Sequence, residues 1–217
     1  MSKANIINNK ILERIAIGEN QHQDFKFEIS DAKKIARSFS AFANTEGGSL
    51  LLGVKDNGSI TGVRTGEEVF MAEAAAKMYC QPEVKFSLKE WKVEGKTIIE
   101  VIIPEAAKKP IKAVSPNDKW LAYIRVNDQN ILANKVMIDV WNAQSIGTET
   151  KINYGSTEAA LLKYINETGS STLSAICETC KISKYKAQKL LTDFILLKLI
   201  DIVFTEKECY YINLIEN

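Results

Sequence analysis

The residues from Ala41 to Gly58, AFANTEGGSLLLGVKDNG, constrain the fold of this chain more than any other stretch. Two glycines follow Asn44-Thr45-Glu46, and a glycine can end a helix because it takes up left-handed backbone without a steric penalty. Ser49 to Val54 is then almost wholly apolar, as a strand covered on both faces is. Asp56-Asn57-Gly58 is a tight-turn signal, and Ile60 to Val63 is expected to return as the paired strand. A helix end, a diglycine turn, a buried strand and a hairpin packed so closely describe a scaffold that presents something at its loops.

The chain has 217 residues, enough for one large domain or two small ones with a real core. With 46% hydrophobic and 25% charged residues its composition is that of a globular protein. No run approaches the roughly 18 apolar residues of a membrane span. Met1 to Asn9 is polar and lacks the apolar segment of a secretory signal, so a cytoplasmic location is expected. The formal net charge is +1, which gives a nucleic-acid binder no global electrostatic help and confines such a role to local patches. The cysteines are Cys80, Cys177, Cys180 and Cys209. Cys177 and Cys180 make a single C-x-x-C, but the sole histidine, His22, lies in the other half of the chain, so four zinc ligands do not assemble. The cysteines read as small apolar thiols in a reducing compartment.

Helical spacing of apolar residues predicts a helix over Asn5 to Ile17, ended by Gly18. Gln23 to Ile29 alternates as a strand, with Phe25, Phe27 and Ile29 on one face. Ser30 and Asp31 cap a helix through Ala32 to Ala43, with Ile35, Ala36, Phe39, Phe42 and Ala43 as its buried stripe. Thr65 or Gly66 opens a second helix, Glu67 to Tyr79. Val84 to Trp91 and Lys96 to Ile103 are strands joined at Glu94-Gly95. Glu105 to Asp118 reads as a loop, Leu121 to Val126 as a strand, and Asn134 to Trp141 as a short helix. Ser145 to Gly155 is a polar linker. Helices over Thr157–Glu167, Thr172–Thr179 and Lys184–Leu197 follow, then strands over Ile200–Thr205 and Cys209–Leu214. Three helices and a hairpin in so short a span have the layout of a winged helix-turn-helix.

The first half resembles the Schlafen/AlbA-like family of domains, described as DNA-binding. The resemblance is carried by Glu19, by Asp24-Phe25-Lys26, by Ala41 to Gly48, by Gly53 to Gly58 with Ile60-Thr61-Gly62-Val63, and by Tyr123-Ile124-Arg125-Val126. It covers roughly residues 10 to 142. At Asp24 the chain departs from the family's usual Glu, which draws the carboxylate back by one methylene. The resemblance implies a DNA-binding protein or transcriptional regulator of the bacterial type, often with a C-terminal winged helix. It also implies an alternative, because animal Schlafens include RNA-cleaving enzymes with three acids in this motif. Carried over, those acids are Glu19, Asp24 and Asp56.

Three such carboxylates can hold Mg or Mn, which prefer oxygen ligands, and Lys26 can neutralise charge developing on a phosphate. Against this, Asp56 sits where a tight turn wants Asp for its own backbone bonds, and Glu19 and Asp24 can simply pair with Lys26. Asn44, Thr45, Gly47 and Gly48 can cradle a phosphate, or they can be a helix stop with an Asn side chain holding the turn. They are not a P-loop. Lys184, Tyr185, Lys186, Gln188 and Lys189 gather on the third helix of the C-terminal part, with Ser183 as its cap and Lys181 just before it. There the lysines can meet DNA phosphates, and Ser183 and Gln188 can reach base edges. From Thr150 onward eight Lys balance eight Asp and Glu, so DNA contact must use that one helix face. The alternative is a winged helix used for protein contact. Lys108, Lys109 and Lys112 form a second basic loop, a backbone contact or a solvated face.

The sequence reading is therefore an α+β protein: a mixed α/β Schlafen/AlbA-like domain over 1–145 and a small winged helix-turn-helix domain over 156–217. Its expected function is DNA binding as a transcriptional regulator, with RNA a second candidate partner, no membrane, and a homodimer suited to paired half-sites. The alternatives are a metal-dependent nuclease on Glu19, Asp24 and Asp56, and a nucleotide-responsive or protein-binding adaptor.

Overall fold

The computed structural model describes residues 3–63, 66–147 and 150–214, with side chains from residue 9 onward. The chain divides into two compact units, Met1–Leu132 and Ala133–Asn217. Thr65, one of the two expected helix openers, and the side chains of Ile6 and Ile7 lie outside the described residues.

The first unit runs α1 (Lys3–Ile17), β1 (Gln23–Lys26), α2 (Ala32–Asn44), β2 (Gly48–Leu52), α3 (Glu67–Met78), β3 (Cys80–Gln81), β4 (Ser87–Val93), β5 (Lys96–Ile103), β6 (Lys112–Val114), β7 (Trp120–Val126) and β8 (Gln129–Leu132). One sheet has the order β1-β2-β5-β4, with β1 parallel to β2 and the other pairs antiparallel. The second has the order β3-β6-β7-β8 and is antiparallel throughout.

The apolar run at Ser49 to Val54 has the physical cause its composition implies. Leu50 and Leu52 belong to the core around α2, while Leu51 and Val54 belong to the core around α1, with Ile11, Phe25, Trp91 and Ile98. Side chains alternate along a strand, so burial on both faces demands an unbroken apolar sequence. Asp31 caps α2 by accepting the Lys33 and Lys34 N–H groups. α2 is covered on several sides. Phe39 and Phe42 share a core with Leu50, Val101 and Ile103 of the first sheet, Ala72 and Ala76 of α3, Ile111 just before β6, and Ala113 and Tyr123 of the second sheet.

The diglycine turn has no room for side chains. A Cβ on Gly48 would stand 2.4 Å from the Phe42 ring, and one on Gly47, where φ is +74°, would stand 2.8 Å from Ile103 O.

The structure corrects several local expectations. The first strand stops at Lys26 and not at Ile29, because its rungs with β2 end there and the chain turns away to the Asp31 cap. Phe27 is left 36% exposed under Lys55 rather than aligned with Phe25. Ile60 to Val63 forms no paired strand. Gly53 O takes both the Thr61 and Gly62 N–H groups, leaving a single bridge from Val54 to Ile60, and the antiparallel partner of β2 is β5. β6 lies inside the expected loop at Glu105 to Asp118; three residues are too few to show a period, and β3 and β7 define the strand from outside.

Glu100, a lone acid in the apolar strand β5, is 3% exposed. It accepts from Arg14 Nη1 at 2.6 Å, Ser49 Oγ at 2.8 Å and Trp91 Nε1 at 2.9 Å. Burial works to raise its pKa, but those three donors outweigh burial and hold it below the ordinary value.

The second unit runs α4 (Lys135–Ile146), α5 (Ser156–Thr168), β9 (Ser170–Ser171), α6 (Leu173–Thr179), α7 (Lys184–Leu196), β10 (Ile200–Phe204) and β11 (Cys209–Asn213). Its sheet has the order β10-β11-β9. Thr172 caps α6 and Ser183 caps α7. Leu161, Ile165, Ile176, Leu191, Phe194 and Tyr211 form its core. The sequence expectation places the helix after Asn134 in a first domain ending at 145. In the structure Val136 and Val140 of α4 share the core of the second unit. Among the described residues no helix is long and apolar enough to cross a membrane.

Candidate functional site

The first unit opens a cleft of about 570 Å³ lined by the end of β1, the first turns of α2, Asp56 and the β7–β8 turn. Its inner wall is a charged network built on the open edge of β1. β1 pairs with β2 on one side only, and on its other edge Gln23 exchanges backbone hydrogen bonds with Asn20. Glu19 Oε1 accepts the Phe25 N–H at 2.8 Å, and Arg125 Nη2 donates to Gln23 O at 3.0 Å. Asn20 and two residues of the recognised motif thus close that edge.

Asp24 and Lys26 share one strand face, as their spacing predicts, and meet directly: Lys26 Nζ lies 3.0 Å from Asp24 Oδ1 and 3.8 Å from Glu19 Oε1. Asp24, 4% exposed, also accepts from Ser38 Oγ at 3.3 Å and lies 3.7 Å from Arg125 Nη2. Glu19 and Asp24 are hydrogen-bonded to each other. Burial and that bond push Glu19 up to about 7. Burial also works to raise Asp24, but the hydrogen bond from Glu19 and the charges of Lys26 and Arg125 outweigh it, and its pKa lies below the ordinary value. Of the two acids, Glu19 is the one that holds a proton more tightly. Arg125 is 2% exposed and spends its remaining donors on Asn20 O and Asn130 Oδ1.

Asp56 lines the same cleft, so Glu19, Asp24, Lys26 and Asp56 share one space. Glu19 and Asp24, two of the three acids expected to hold Mg or Mn, are engaged by protein partners. Among the described residues no group of three or more His, Cys, Asp or Glu side chains is placed to hold a metal ion. The Asp24 oxygens face Lys26, Arg125 and Ser38, and Glu19 is committed to Phe25 and Asp24. The arrangement sets two acids of different acidity beside Lys26 and Arg125.

The phosphate cradle at Asn44, Thr45, Gly47 and Gly48 is corrected outright, because these groups are spent on the fold. Asn44 is 3% exposed. Its Nδ2 donates to Ile111 O at 2.7 Å and Tyr123 O at 2.9 Å, and its Oδ1 accepts the Ile111 N–H at 2.7 Å. Thr45 Oγ1 accepts the Arg125 N–H at 2.9 Å and donates to Ala41 O. Gly47 N–H donates to Phe42 O. In the second basic loop, Lys109 is held by Glu105 Oε1 at 2.7 Å and Thr45 O at 3.3 Å. Lys112 is half-buried in β6, and Lys108 is exposed.

On α7 the structure brings its expected residues together. Ser183 Oγ caps the helix by accepting the Lys186 N–H at 3.2 Å. Ala187, Leu190, Leu191 and Phe194 face the core. Lys181, Lys184, Tyr185 and Lys189 are exposed, Tyr185 by 79%, and Gln188 is half-buried. Lys186, also exposed, donates to Thr157 Oγ1 at 3.2 Å.

Sequence reasoning missed the roles of Arg125, Ser38 and Asn130 in the cleft. Arg125 carried a signal: a lone charge inside an apolar strand needs partners, and the strand alone does not name them.

No curated protein matches this chain. Among solved structures, the DIP2311 protein from Corynebacterium diphtheriae is similar at 16% identity with a TM-score of 0.48, over 97% of this chain and 38% of that one. The N-terminal domain of a RecG-related protein from Nitrosomonas europaea is similar at 25% identity with a TM-score of 0.40, over 62% of this chain and 97% of that one. The chain spans well under half the length of the DIP2311 protein. The family model described as Schlafen, AlbA_2 matches residues 19–134, the stretch that builds the cleft and more than half of the chain. This chain belongs to the Schlafen, AlbA_2 family.

Proposed function

We propose that this protein binds DNA as a transcriptional regulator in the cytoplasm, and that the second unit is a winged helix-turn-helix with α7 as its recognition helix. The observation that carries this reading is the element order α5-β9-α6-α7-β10-β11, with α7 anchored by its apolar side and its lysine side turned to solvent. In this reading Lys181, Lys184, Lys186 and Lys189 contact phosphates, and Ser183 and Gln188 reach base edges. The wing contributes little charge, since Glu206 and Glu208 flank Lys207. The binding domain is taken as 156–217 after a first domain at 1–145, and two copies would meet two half-sites.

The test is fluorescence anisotropy with duplex DNA and single-stranded RNA across a salt series. Wild-type affinity falls as salt rises, with a slope that drops by about 0.9 for each phosphate contact removed in K184E/K186E/K189E. Unchanged affinity and slope in the triple variant would remove α7 from the interface.

The second reading is a metal-dependent nuclease on Glu19, Asp24 and Asp56. It is favoured by their sharing one cleft with Lys26 and opposed by the ion pairs that occupy Asp24. Incubation of labelled RNA and DNA with Mg²⁺ or Mn²⁺ tests it; cleavage that persists in D24A and D56A belongs to other residues.

A further inference from the structure

Cys177 lies in the last turns of α6, and Cys180 is the C-cap of that helix. Both thiols are free and half-buried, packed against the core that α7 shares. The route into α7 depends on this pair. Cys180 N–H donates to Ile176 O at 3.0 Å, and Ile182 N–H donates to Cys177 O at 3.2 Å. Between them Lys181 takes the left-handed φ of 49°. Side chains three apart on a helix have Cβ atoms about 5–6 Å apart, while a disulfide needs about 3.5–4.5 Å. Cys177 acts electrostatically on Cys180, so the two thiols are neighbours, and drawing them together would pull on the end of α6, where the Ile182–Cys177 bond lies. Burial, and then the neighbouring Cys177, hold the Cys180 thiol above its ordinary pKa.

We propose that Cys177 and Cys180 are a reversible thiol–disulfide site whose closure remodels the turn that presents α7. The oxidant is a low-molecular-weight disulfide, with glutathione disulfide as the probe. The Cys177 thiolate attacks one glutathione sulfur, forming a mixed disulfide and expelling a glutathione thiolate. The Cys180 thiolate then attacks the Cys177 sulfur and expels the second. The two protons lost by the cysteines end on the two glutathiones, so one disulfide is reduced as one is formed. A bond that strains the helix is readily reduced, which suits an exchangeable site and not a structural one. The other cysteines are placed differently. Cys80 lies in the first unit with its thiol pushed up to about 12 by burial, and Cys209 Sγ is held by Asn134 Nδ2 at 3.0 Å.

The test uses the full chain in glutathione buffers of increasing oxidised fraction. Peptide mapping should find a Cys177–Cys180 link, the loss of two hydrogens in mass, reversed by excess reduced glutathione and absent in C177S and in C180S. Hydrogen exchange should show the Ile182 amide exchanging faster in the oxidised protein. No link at any ratio, or a link to Cys209 in its place, overturns the site. A link with unchanged Ile182 exchange overturns the remodelling. The consequence for DNA rests on the function proposed above. If oxidation leaves the turn competent in one molecule in ten, affinity falls about tenfold. A reduced protein that binds no DNA would refute that function while the mapping still judges the thiol site.

Discussion

Asn44→Ala decides between the two readings of the motif that constrains this chain most. In the structure Asn44 ties α2 to the second sheet through Ile111 and Tyr123. Truncation removes the partner of the Ile111 N–H and of Tyr123 O. Ile111 O keeps a partner, because Ser40 Oγ also donates to it at 2.8 Å. Two buried backbone groups are left without the partners the fold gives them, at about 1–3 kcal/mol each, so the expected loss is about 2–6 kcal/mol. That is a large share of the roughly 5–15 kcal/mol that holds a domain folded. Urea unfolding followed by circular dichroism and tryptophan fluorescence reads the loss as a lower midpoint at unchanged slope. Asn44→Asp should cost at least as much, because it removes both donors and sets a carboxylate against two carbonyl oxygens. A variant within about 0.5 kcal/mol of the wild type, as for an ordinary surface position, would refute the latch and return Asn44 to the pool of ligand-binding residues.

Glu100→Ala strands Ser49, Trp91 and Arg14 together. It should destabilise by about 2–4 kcal/mol in the same assay, less than the roughly 3–5 of a fully buried pair because Arg14 keeps 35% exposure. Glu19 binds its proton more tightly folded than unfolded, so stability should fall as pH rises from about 4.5 to about 7, and then level off. Glu19→Gln, whose amide can donate to Asp24 and accept from Phe25, should flatten that limb; a wild-type curve without it would argue that Glu19 is ionised throughout. Asp24 acts with the opposite sign, its contribution being lost as pH falls below its ordinary 3.8, so Asp24→Asn should weaken the acid limb of the unfolding curve.

Much of the fold was legible because its signals are local. Asp31 and Ser183 stand as helix caps where their side chains alone would place them, whereas Thr172, expected as the first residue of its helix, is its cap. The apolar run of β2 announced its two-sided burial, and the expected span of β5 matches the observed one. β3, β6, β8 and β9 were not legible, since strands of two to four residues carry no period and exist only through their partners. The family motif was recognisable in the residues, but what its members do was not. Glu19 and Arg125 close the edge of β1, Asn44 and Thr45 bind the two sheets to α2, and only chain segments far apart in sequence supply those partners.

The amino-acid sequence by itself determined the helices, their caps, the diglycine turn and the lysine face of α7, because backbone conformation and side-chain periodicity are set by near neighbours. The tertiary structure alone decided which polar residues are free to act. It buried Asn44, paired Asp24 with Lys26 and Arg125, raised the Glu19 carboxyl to about 7, and joined α4 to the core of the second unit. Charge state and availability depend on what lies across the fold, and a linear pattern does not contain that distance.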